Sequence, residues 1–395
     1  MKRSTLKHVL FWRFAQLTIG PFLVRLFRVT PIWHSRPPKD CGYLLVANHA
    51  NKSDPFLIGN FLRTPINYMA NVGGVKGFNK IFSSGLGCFN IRKGRADSQA
   101  FVKAIELLKK GYSVGIFVEG DRTWLGNTVE FSTVTASLAI KMNVPIVMAK
   151  LSGNYFSRPR WSDTPRRGKV FVEFKQITKD QIQQMTKNEL QQTIANYISN
   201  NDFLNEKIQN IKFTGKNLAV GVERVMWLCP ACKSEDNLLG IGNEIHCKQC
   251  KNSFSIDGNQ NVSDNKSILK DNNIKNLWDW NLWQKDQALK QISISENQTY
   301  LSENLVDIFD EPTYNNWRYL GKGELTLNKD GIHWKSNDEQ SKTITFPMSE
   351  ILNIVDNFNE YSILNLKKDR YKFCTHNTSS YKWSSMLEMV TRKME

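Results

Sequence analysis

Apolar and polar stretches alternate along residues 40–215 in a way that indicates an α/β domain. Short apolar runs predict β-strands at 43–47, 66–71, 112–118, 145–151 and 169–174. The longer stretches between them predict helices at 55–62, 96–110, 132–142 and 180–197. Strands that alternate with helices are typical of a sheet with helices packed on it. We therefore expect an α/β domain with helices flanking a sheet.

The last part of the chain has a different pattern, with short strands followed by one helix. Its strands are predicted at 324–327, 332–335, 342–346, 351–355, 361–366 and 370–374. A final helix at 380–392 places Trp383, Leu387 and Val390 on one face. Before these strands, a segment rich in Asn, Asp, Ser and Lys at 257–273 predicts a linker, and a helix is predicted at 277–292.

These patterns divide the chain of 395 residues into five segments. They are N-terminal helices in 1–30, an α/β domain in 31–215, a small cysteine-bearing unit in 225–256, a linker with a helix in 257–319 and a β-rich domain in 320–395.

Residues 1–30 contain six basic residues and no acidic residue. Their longest uncharged run, Phe14 to Val24, is shorter than the roughly 20 residues that a transmembrane helix needs. Gly20-Pro21 should end one helix and start another, since proline suits a first helical turn. Two short, basic, apolar helices suit the surface of an anionic bilayer, and packing on the protein core is an equal alternative.

Composition narrows the class of protein. Hydrophobic residues make up 41% and charged residues 23%, which excludes a polytopic membrane protein. The net charge of +16 favours a polyanionic partner, either nucleic acid, an anionic membrane or a phosphorylated substrate. Seven cysteines, four of them in two CxxC pairs, indicate a reducing compartment and a metal site rather than a disulfide framework.

The segment Asn48-His49-Ala50-Asn51-Lys52-Ser53-Asp54-Pro55 lies between a predicted strand and a predicted helix. An imidazole can act as a general base near neutral pH, and a carboxylate on its other ring nitrogen fixes its tautomer. His49 and Asp54 are candidates for this pair because the loop can fold back and bring them together. Alternatively, Asp54 is the N-cap of the following helix.

Three further blocks follow the His49 segment. They are Gly87-Cys88-Phe89-Asn90-Ile91-Arg92, Phe117-Val118-Glu119-Gly120-Asp121-Arg122-Thr123 and Val144-Pro145-Ile146-Val147. With the first block they resemble, in order and spacing, the lysophosphatidate (acylglycerol-phosphate) acyltransferases, the PlsC-like family. The third block, usually FPEGTRS, departs from the pattern at Val118 and Asp121. The charge of Asp121 beside the expected phosphate pocket puts the acceptor in doubt more than the chemistry.

The resemblance implies a mixed sheet with flanking helices, and it implies roles for individual residues. His49 would be the general base and Asp54 its orienting partner, so that the acceptor hydroxyl attacks an acyl thioester directly. Cys88 would then be a core residue. Arg92 and Arg122 are the candidates for binding a phosphate, because guanidinium groups match its geometry. Glu119 could hold an arginine or a ligand hydroxyl, and Gly120 would permit a close backbone approach.

Two appended units resemble other known modules. The pairs Cys229/Cys232 and Cys247/Cys250 resemble the knuckles of a zinc ribbon, with a structural Zn²⁺ bound by all four thiolates. No organic cofactor beyond the acyl donor is expected. The C-terminal strands and helix resemble a pleckstrin-homology (PH) or GRAM-like barrel by the order of their elements, and we slightly favour a docking module without a ligand.

The resemblance thus implies a 1-acylglycerol-3-phosphate O-acyltransferase-like enzyme of phospholipid biosynthesis. It would move a fatty acyl group from acyl-carrier protein or acyl-CoA to lysophosphatidate, giving phosphatidate. We expect a peripheral (monotopic) protein on the cytoplasmic face of a membrane, in contact with phospholipid. Acylation of another lysophospholipid or of glycerol phosphate, and a non-catalytic membrane adaptor, remain alternatives. A nucleic-acid partner is disfavoured because it leaves the four blocks unexplained.

Overall fold

The apolar runs of the first part of the chain form a seven-stranded sheet in the computed structural model. The strands are β1 (Val29–Trp33), β2 (Leu44–Ala47), β3 (Ile66–Ala70), β4 (Phe89–Asn90), β5 (Ser113–Phe117), β6 (Ile146–Ser152) and β7 (Val170–Ile177). Their order across the sheet is β1-β7-β6-β2-β5-β3-β4. All neighbours are parallel except β6 and β7, which are antiparallel. The predicted mixed α/β architecture is therefore confirmed.

The structure describes most of the chain, in two compact units. The described residues are 6–70, 83, 85–91, 94, 97–128, 134–294, 298–313, 316–338, 342–357 and 360–394. The first unit consists of Met1–Arg160 with Pro165–Thr214, and the second of Trp161–Thr164 with Gly215–Glu395.

Helices cover both faces of the first sheet. They are α1 (Leu6–Leu17), α2 (Ile19–Leu26), α3 (Asp54–Gly59), α4 (Ser98–Lys109), α5 (Val134–Met142), α6 (Asn154–Ser157), α7 (Lys179–Gln183), α8 (Lys187–Ile198) and α9 (Glu206–Gln209). Alternate residues of β2 enter two separate apolar clusters, because successive side chains of a strand point to opposite faces. Leu45 and Ala47 pack with Trp12 of α1, whereas Leu44 and Val46 pack with residues of α4, α5 and α8.

The helix predicted at 180–197 is instead two helices, α7 and α8. Thr186 accepts a hydrogen bond from the backbone N–H of Glu189, and the Glu189 carboxylate accepts one from the N–H of Thr186. This capping box starts a new helix, so the continuous helix was a wrong prediction. The Thr-x-x-Glu pattern that causes the break is visible in the sequence.

The N-terminal helices have one buried and one exposed apolar face. Trp12 and Ala15 are buried in the sheet core. On other sides of the helices, large apolar side chains are exposed at Leu6, Leu10, Phe14, Leu17, Phe22 and Leu26. The break between α1 and α2 falls at Thr18, so Gly20 and Pro21 lie in the first turn of α2. Core packing and an exposed apolar surface, predicted as alternatives, therefore occur on different faces.

Within the described residues, one stretch is long and apolar enough to cross a membrane by length and composition, namely Leu6–Leu26. The uncharged run from Phe14 to Val24, on which the prediction of a segment too short to span rested, is only part of this stretch. The buried residues Trp12 and Ala15 show that part of the stretch packs on the protein.

The second unit contains two antiparallel sheets. The smaller sheet consists of β8 (Leu238–Ile241), β9 (Glu244–Cys247), β10 (Ser253–Ile256) and β11 (Val262–Ser263), in the order β11-β10-β9-β8. It is followed by α10 (Ile268–Asp271) and α11 (Leu277–Ile294). The predicted linker at 257–273 is wrong, because β11 pairs with β10 and the Asp264 carboxylate accepts the N–H groups that start α10.

The larger sheet has seven strands and a terminal helix. They are β12 (Leu301–Thr313), β13 (Asn316–Asn328), β14 (Gly331–Ser336), β15 (Thr343–Pro347), β16 (Ile351–Asn357), β17 (Tyr361–Leu366), β18 (Arg370–Cys374) and α12 (Ser380–Met394). The order is β15-β14-β13-β12-β18-β17-β16, so the first strand pairs with the last. This sheet begins at Leu301, which corrects the predicted boundary at residue 320. The PH- or GRAM-like barrel stays a prediction.

Candidate active site

The loop after β2 folds back and brings His49 and Asp54 together. His49 Nδ1 lies 2.8 Å from Asp54 Oδ2, so the ring nitrogen donates to the carboxylate. The Asp54 side chain is 0% exposed, whereas that of His49 is 19% exposed. In the part of the chain that the structure describes, no group hydrogen-bonds His49 Nε2. The arrangement leaves that nitrogen available to take a proton from a bound molecule.

Asp54 is held by the loop in front of it and does not cap α3. Its Oδ2 also accepts the backbone N–H groups of Ala50 at 2.8 Å and Asn51 at 2.9 Å. Its Oδ1 accepts a hydrogen bond from the side-chain amide of Asn154. The N-cap position of α3 belongs to Ser53. A buried carboxylate with these donors has its hydrogen bonds satisfied, and it fixes the orientation of the imidazole.

Asn154 is a site residue that sequence reasoning missed. It lies in the turn that follows β6 and begins α6, and β6 is the neighbour of β2 in the sheet. Along the chain, Asn154 is 100 positions away from its partner Asp54. The buried Asp202 carboxylate anchors this turn by accepting the N–H groups of Gly153 at 2.8 Å and Tyr155 at 3.2 Å. The signal in the sequence is the Gly153-Asn154 pair at the end of an apolar strand.

The third block is attached to the main chain of His49 on both sides. Glu119 Oε1 accepts the His49 N–H at 2.6 Å, and the Thr123 N–H donates to the His49 carbonyl at 2.9 Å. The ring of Phe117 stacks on the imidazole with centroids 4.1 Å apart. Glu119 thus has a contact with His49 itself, which the sequence analysis did not foresee.

The other predicted binding residues have different outcomes. Gly120 has φ +68, a left-handed conformation that disfavours other residues, so its backbone shape accounts for the glycine. Arg122 is half-buried next to Thr123. Arg92 lies outside the described residues.

Cys88 is near the site but is not suited to nucleophilic chemistry. It packs against the apolar cluster that contains Trp12, and burial raises the pKa of its thiol to about 12. A thiol with that pKa is protonated near neutral pH and is a poor nucleophile.

The second unit brings four thiols together. All Sγ atoms of Cys229, Cys232, Cys247 and Cys250 lie within 4.8 Å of one another. Two of the separations are 3.8 Å, between Cys229 and Cys250 and between Cys232 and Cys247. The predicted set of four cysteines is thus assembled as one cluster.

Comparison with known proteins supports the acyltransferase interpretation of the first unit. The family model described as Acyltransferase matches residues 34–151, less than a third of the chain. This range contains the His49–Asp54 pair and the third block. A search of curated proteins gave no match.

Solved structures also match. One is the crystal structure of the 1-acyl-sn-glycerophosphate (LPA) acyltransferase PlsC from Thermotoga maritima, with 23% identity and a TM-score of 0.40. The match covers 47% of this chain and 76% of that one.

Asp202, which anchors the turn that contains Asn154, should make the stability of the first unit depend on pH. Burial raises the pKa of Asp202 to about 6, so the folded chain binds this proton more tightly than the unfolded chain. Its contribution to stability is therefore fully present below about pH 4 and is lost as pH rises through 6. We expect the melting temperature of wild type minus that of Asp202→Asn to fall between pH 4 and pH 7.

Calorimetry at a series of pH values measures this difference, and Asp180→Asn, at an exposed position of α7, is the control. A difference that stays constant over the range for Asp202→Asn would contradict the raised pKa.

Proposed function

We propose that the first unit is an acyltransferase that moves a fatty acyl group from an acyl thioester to lysophosphatidate, giving phosphatidate. The observation that carries the proposal is the 2.8 Å contact between His49 and the buried Asp54, inside the residues that match the acyltransferase family model. The donor would be acyl-carrier protein or acyl-CoA. Another lysophospholipid, or glycerol phosphate, would react through the same pair.

In this mechanism His49 Nε2 takes the proton of the acceptor hydroxyl as that oxygen attacks the thioester carbonyl carbon. Asp54 holds the Nδ1–H and stabilises the imidazolium that forms. The tetrahedral intermediate then collapses, the C–S bond breaks, and the leaving sulfur receives the proton from Nε2. No acyl-enzyme is required, which agrees with the protonated state of Cys88.

Binding of the acceptor phosphate is assigned to Arg122, together with Arg92 from the second block. Arg122 lies next to Thr123, whose N–H bonds the main chain of His49. Burial lowers the pKa of Arg122, and the charge of Asp54, the partner of the base, acts to raise it, which supports a phosphate site on Arg122 near the base. A non-catalytic adaptor is disfavoured because nothing in such a role needs a buried, multiply hydrogen-bonded carboxylate behind an accessible imidazole.

We further propose that α1 and α2 hold the protein on the cytoplasmic face of a membrane as a peripheral, monotopic protein. The exposed apolar side chains at Leu6, Leu10, Phe14 and Leu17 recur along one side of α1. Lys7, Arg13 and Arg25 are exposed among them and suit anionic headgroups. A phospholipid surface also contains the acceptor.

The four-cysteine cluster fits a structural Zn²⁺. A tetrahedral ion with Zn–S distances of about 2.3 Å requires sulfur atoms about 3.8 Å apart. Two of the separations are 3.8 Å, and all four sulfur atoms lie within 4.8 Å of one another. Four thiolates would complete the coordination, so Cys229, Cys232, Cys247 and Cys250 would stabilise the small sheet and take no part in acyl transfer.

His49→Ala should abolish acyl transfer while the fold persists. Loss of a general base typically costs about 10² to 10⁴ in rate. Acyl transfer to lysophosphatidate from both donor types measures this effect, with circular dichroism to check the fold. His34→Ala removes a histidine of the same unit outside the site and should retain activity. Near-normal turnover of His49→Ala would sink the mechanism.

Replacing Leu10 and Phe14 together by Glu should release the protein from anionic vesicles. Each buried apolar side chain contributes about 1.5–3 kcal/mol, so binding should weaken at least about tenfold. Vesicle co-sedimentation measures it, and Val102→Glu, an equally exposed apolar residue on α4, is the matched control. Equal binding of wild type and double variant would refute the anchor.

The purified chain should carry one Zn²⁺, and Cys229→Ser should lose it. A strong chelator should unfold the small sheet, since a small metal domain depends on its metal to fold. Part of the acyl transfer should persist, because His49 lies in the other unit. Elemental analysis is the test, with Cys41→Ser as the control. A zinc-replete preparation without metal, or with disulfide-bonded CxxC pairs, would favour a redox role.

A further inference from the structure

Asp121 stands where the resemblance has threonine, and its carboxylate has two contacts that explain its presence. Its Oδ1 accepts the backbone N–H of Arg122 at 2.8 Å. Its Oδ2 lies 2.9 Å from Nη1 of Arg160, 39 positions along the chain. The added negative charge is therefore paired with a cation instead of facing an open pocket.

Arg160 is placed so that it completes this contact. Its side chain is 1% exposed, and its guanidinium lies over the ring of Trp124 at 4.0 Å from the centroid. The same Nη1 that contacts Asp121 also donates to the carbonyl oxygen of Arg122 at 2.5 Å. Asp121 and Arg160 thus bind the N–H and the C=O of one residue, and that residue is Arg122.

The main chain next to Arg122 is also tied to the base. Thr123 donates its N–H to the His49 carbonyl, so any shift of Arg122 moves a residue bonded to His49. The guanidinium of Arg122 interacts with the same groups. Its pKa is lowered, first by burial and then by the charge of Arg160, while the carboxylates of Asp121 and Asp54 act in the opposite direction. The main chain of Arg122 is therefore bonded to the Asp121–Arg160 pair, and its guanidinium interacts electrostatically with Asp54.

We infer that the Asp121–Arg160 pair, with its buried arginine, is a positioning device that fixes Arg122 for the phosphate of the acceptor. It thereby sets the affinity of the site for phosphorylated acceptors. The inference rests on the proposed function. In this role neither Asp121 nor Arg160 needs to touch the substrate.

Asp121→Asn distinguishes a positioning role from a purely electrostatic effect of the carboxylate, because the two predict opposite changes in KM for lysophosphatidate. By charge alone, removal of a carboxylate near a phosphate site improves phosphate binding and lowers KM for lysophosphatidate. By positioning, the amide keeps the size of the side chain but turns an NH₂ group toward the buried Arg160, which loses its anion. Arg122 then loses its fixed geometry, and KM rises.

The experiment is steady-state acyl transfer to lysophosphatidate with saturating acyl donor. Asp121→Asn should raise KM for lysophosphatidate about tenfold, with kcat and KM for the donor changed less than about threefold. Arg160→Gln should have the same effect, and the double variant should be no worse than either single variant, since the pair acts as one unit. Lys109→Gln, at an exposed position of α4, is the control for removal of one positive charge.

The outcomes distinguish failure of the proposed function from failure of the positioning role. If the wild-type protein transfers no acyl group to lysophosphatidate from either donor, the proposed function fails. If the wild type is active and Asp121→Asn leaves KM for lysophosphatidate unchanged or lowers it, the positioning role is wrong while the function stands. An equal loss of kcat and of affinity for both substrates would indicate a general structural role and would also overturn the inference.

Discussion

The candidate active site depends on one buried carboxylate. Asp54 is removed from water, which is costly for a charge unless donors replace the lost hydration. Backbone N–H groups of Ala50 and Asn51, the ring of His49 and the amide of Asn154 supply those donors. The same bonds define the loop after β2, so the shape of this loop and the orientation of the imidazole have a single origin.

The order of the strands explains where the site lies in the sheet. His49 follows β2, the third block follows β5 and Asn154 follows β6, and these three parallel strands are neighbours. Side chains that follow parallel strands meet at one edge of the sheet, where α/β proteins commonly bind ligands. The antiparallel strand β7 lies beyond β6 and contributes its core residues instead. The candidate active-site residues of the mixed sheet therefore follow strands that are parallel to one another.

The contacts of the site that could be predicted from the sequence are those between residues close together in the chain. His49 and Asp54 are five positions apart, and a loop between a strand and a helix is enough to predict their meeting. The contacts of Asn154 and Arg160 could not be predicted, because their partners are dozens of positions away and depend on the order of strands. For Asp121 the sequence indicated an added negative charge beside the expected phosphate pocket, and the structure shows the distant arginine that pairs with it.

The strands were predicted best where apolar runs are buried on both faces, as in β2, and least where one face is solvated. The strand β12 was missed because its sequence, LSENLVDIFDEPT, mixes acidic and apolar residues at nearly every step. Its buried positions include Val306 and Ile308, with Glu303 buried beside them. Glu303 accepts backbone N–H groups of His376 and Asn377, so a charged residue that argues against a core strand has a structural function there.

The second unit repeats this use of buried charge to join segments that the sequence presents as separate. Lys382 of α12 is buried, and its amino group lies 2.7 Å from Glu235 and 2.5 Å from Asp236. Both acids lie between the two CxxC pairs, directly after Ser234, whose hydroxyl contacts the thiols of Cys232 and Cys247. A lysine that is buried against two carboxylates becomes an uncompensated charge if they move away. The loop that closes around the cysteines and the helix that packs on the larger sheet are therefore held to one geometry, which is why the cysteine-bearing segment belongs to the same compact unit as the C-terminal strands.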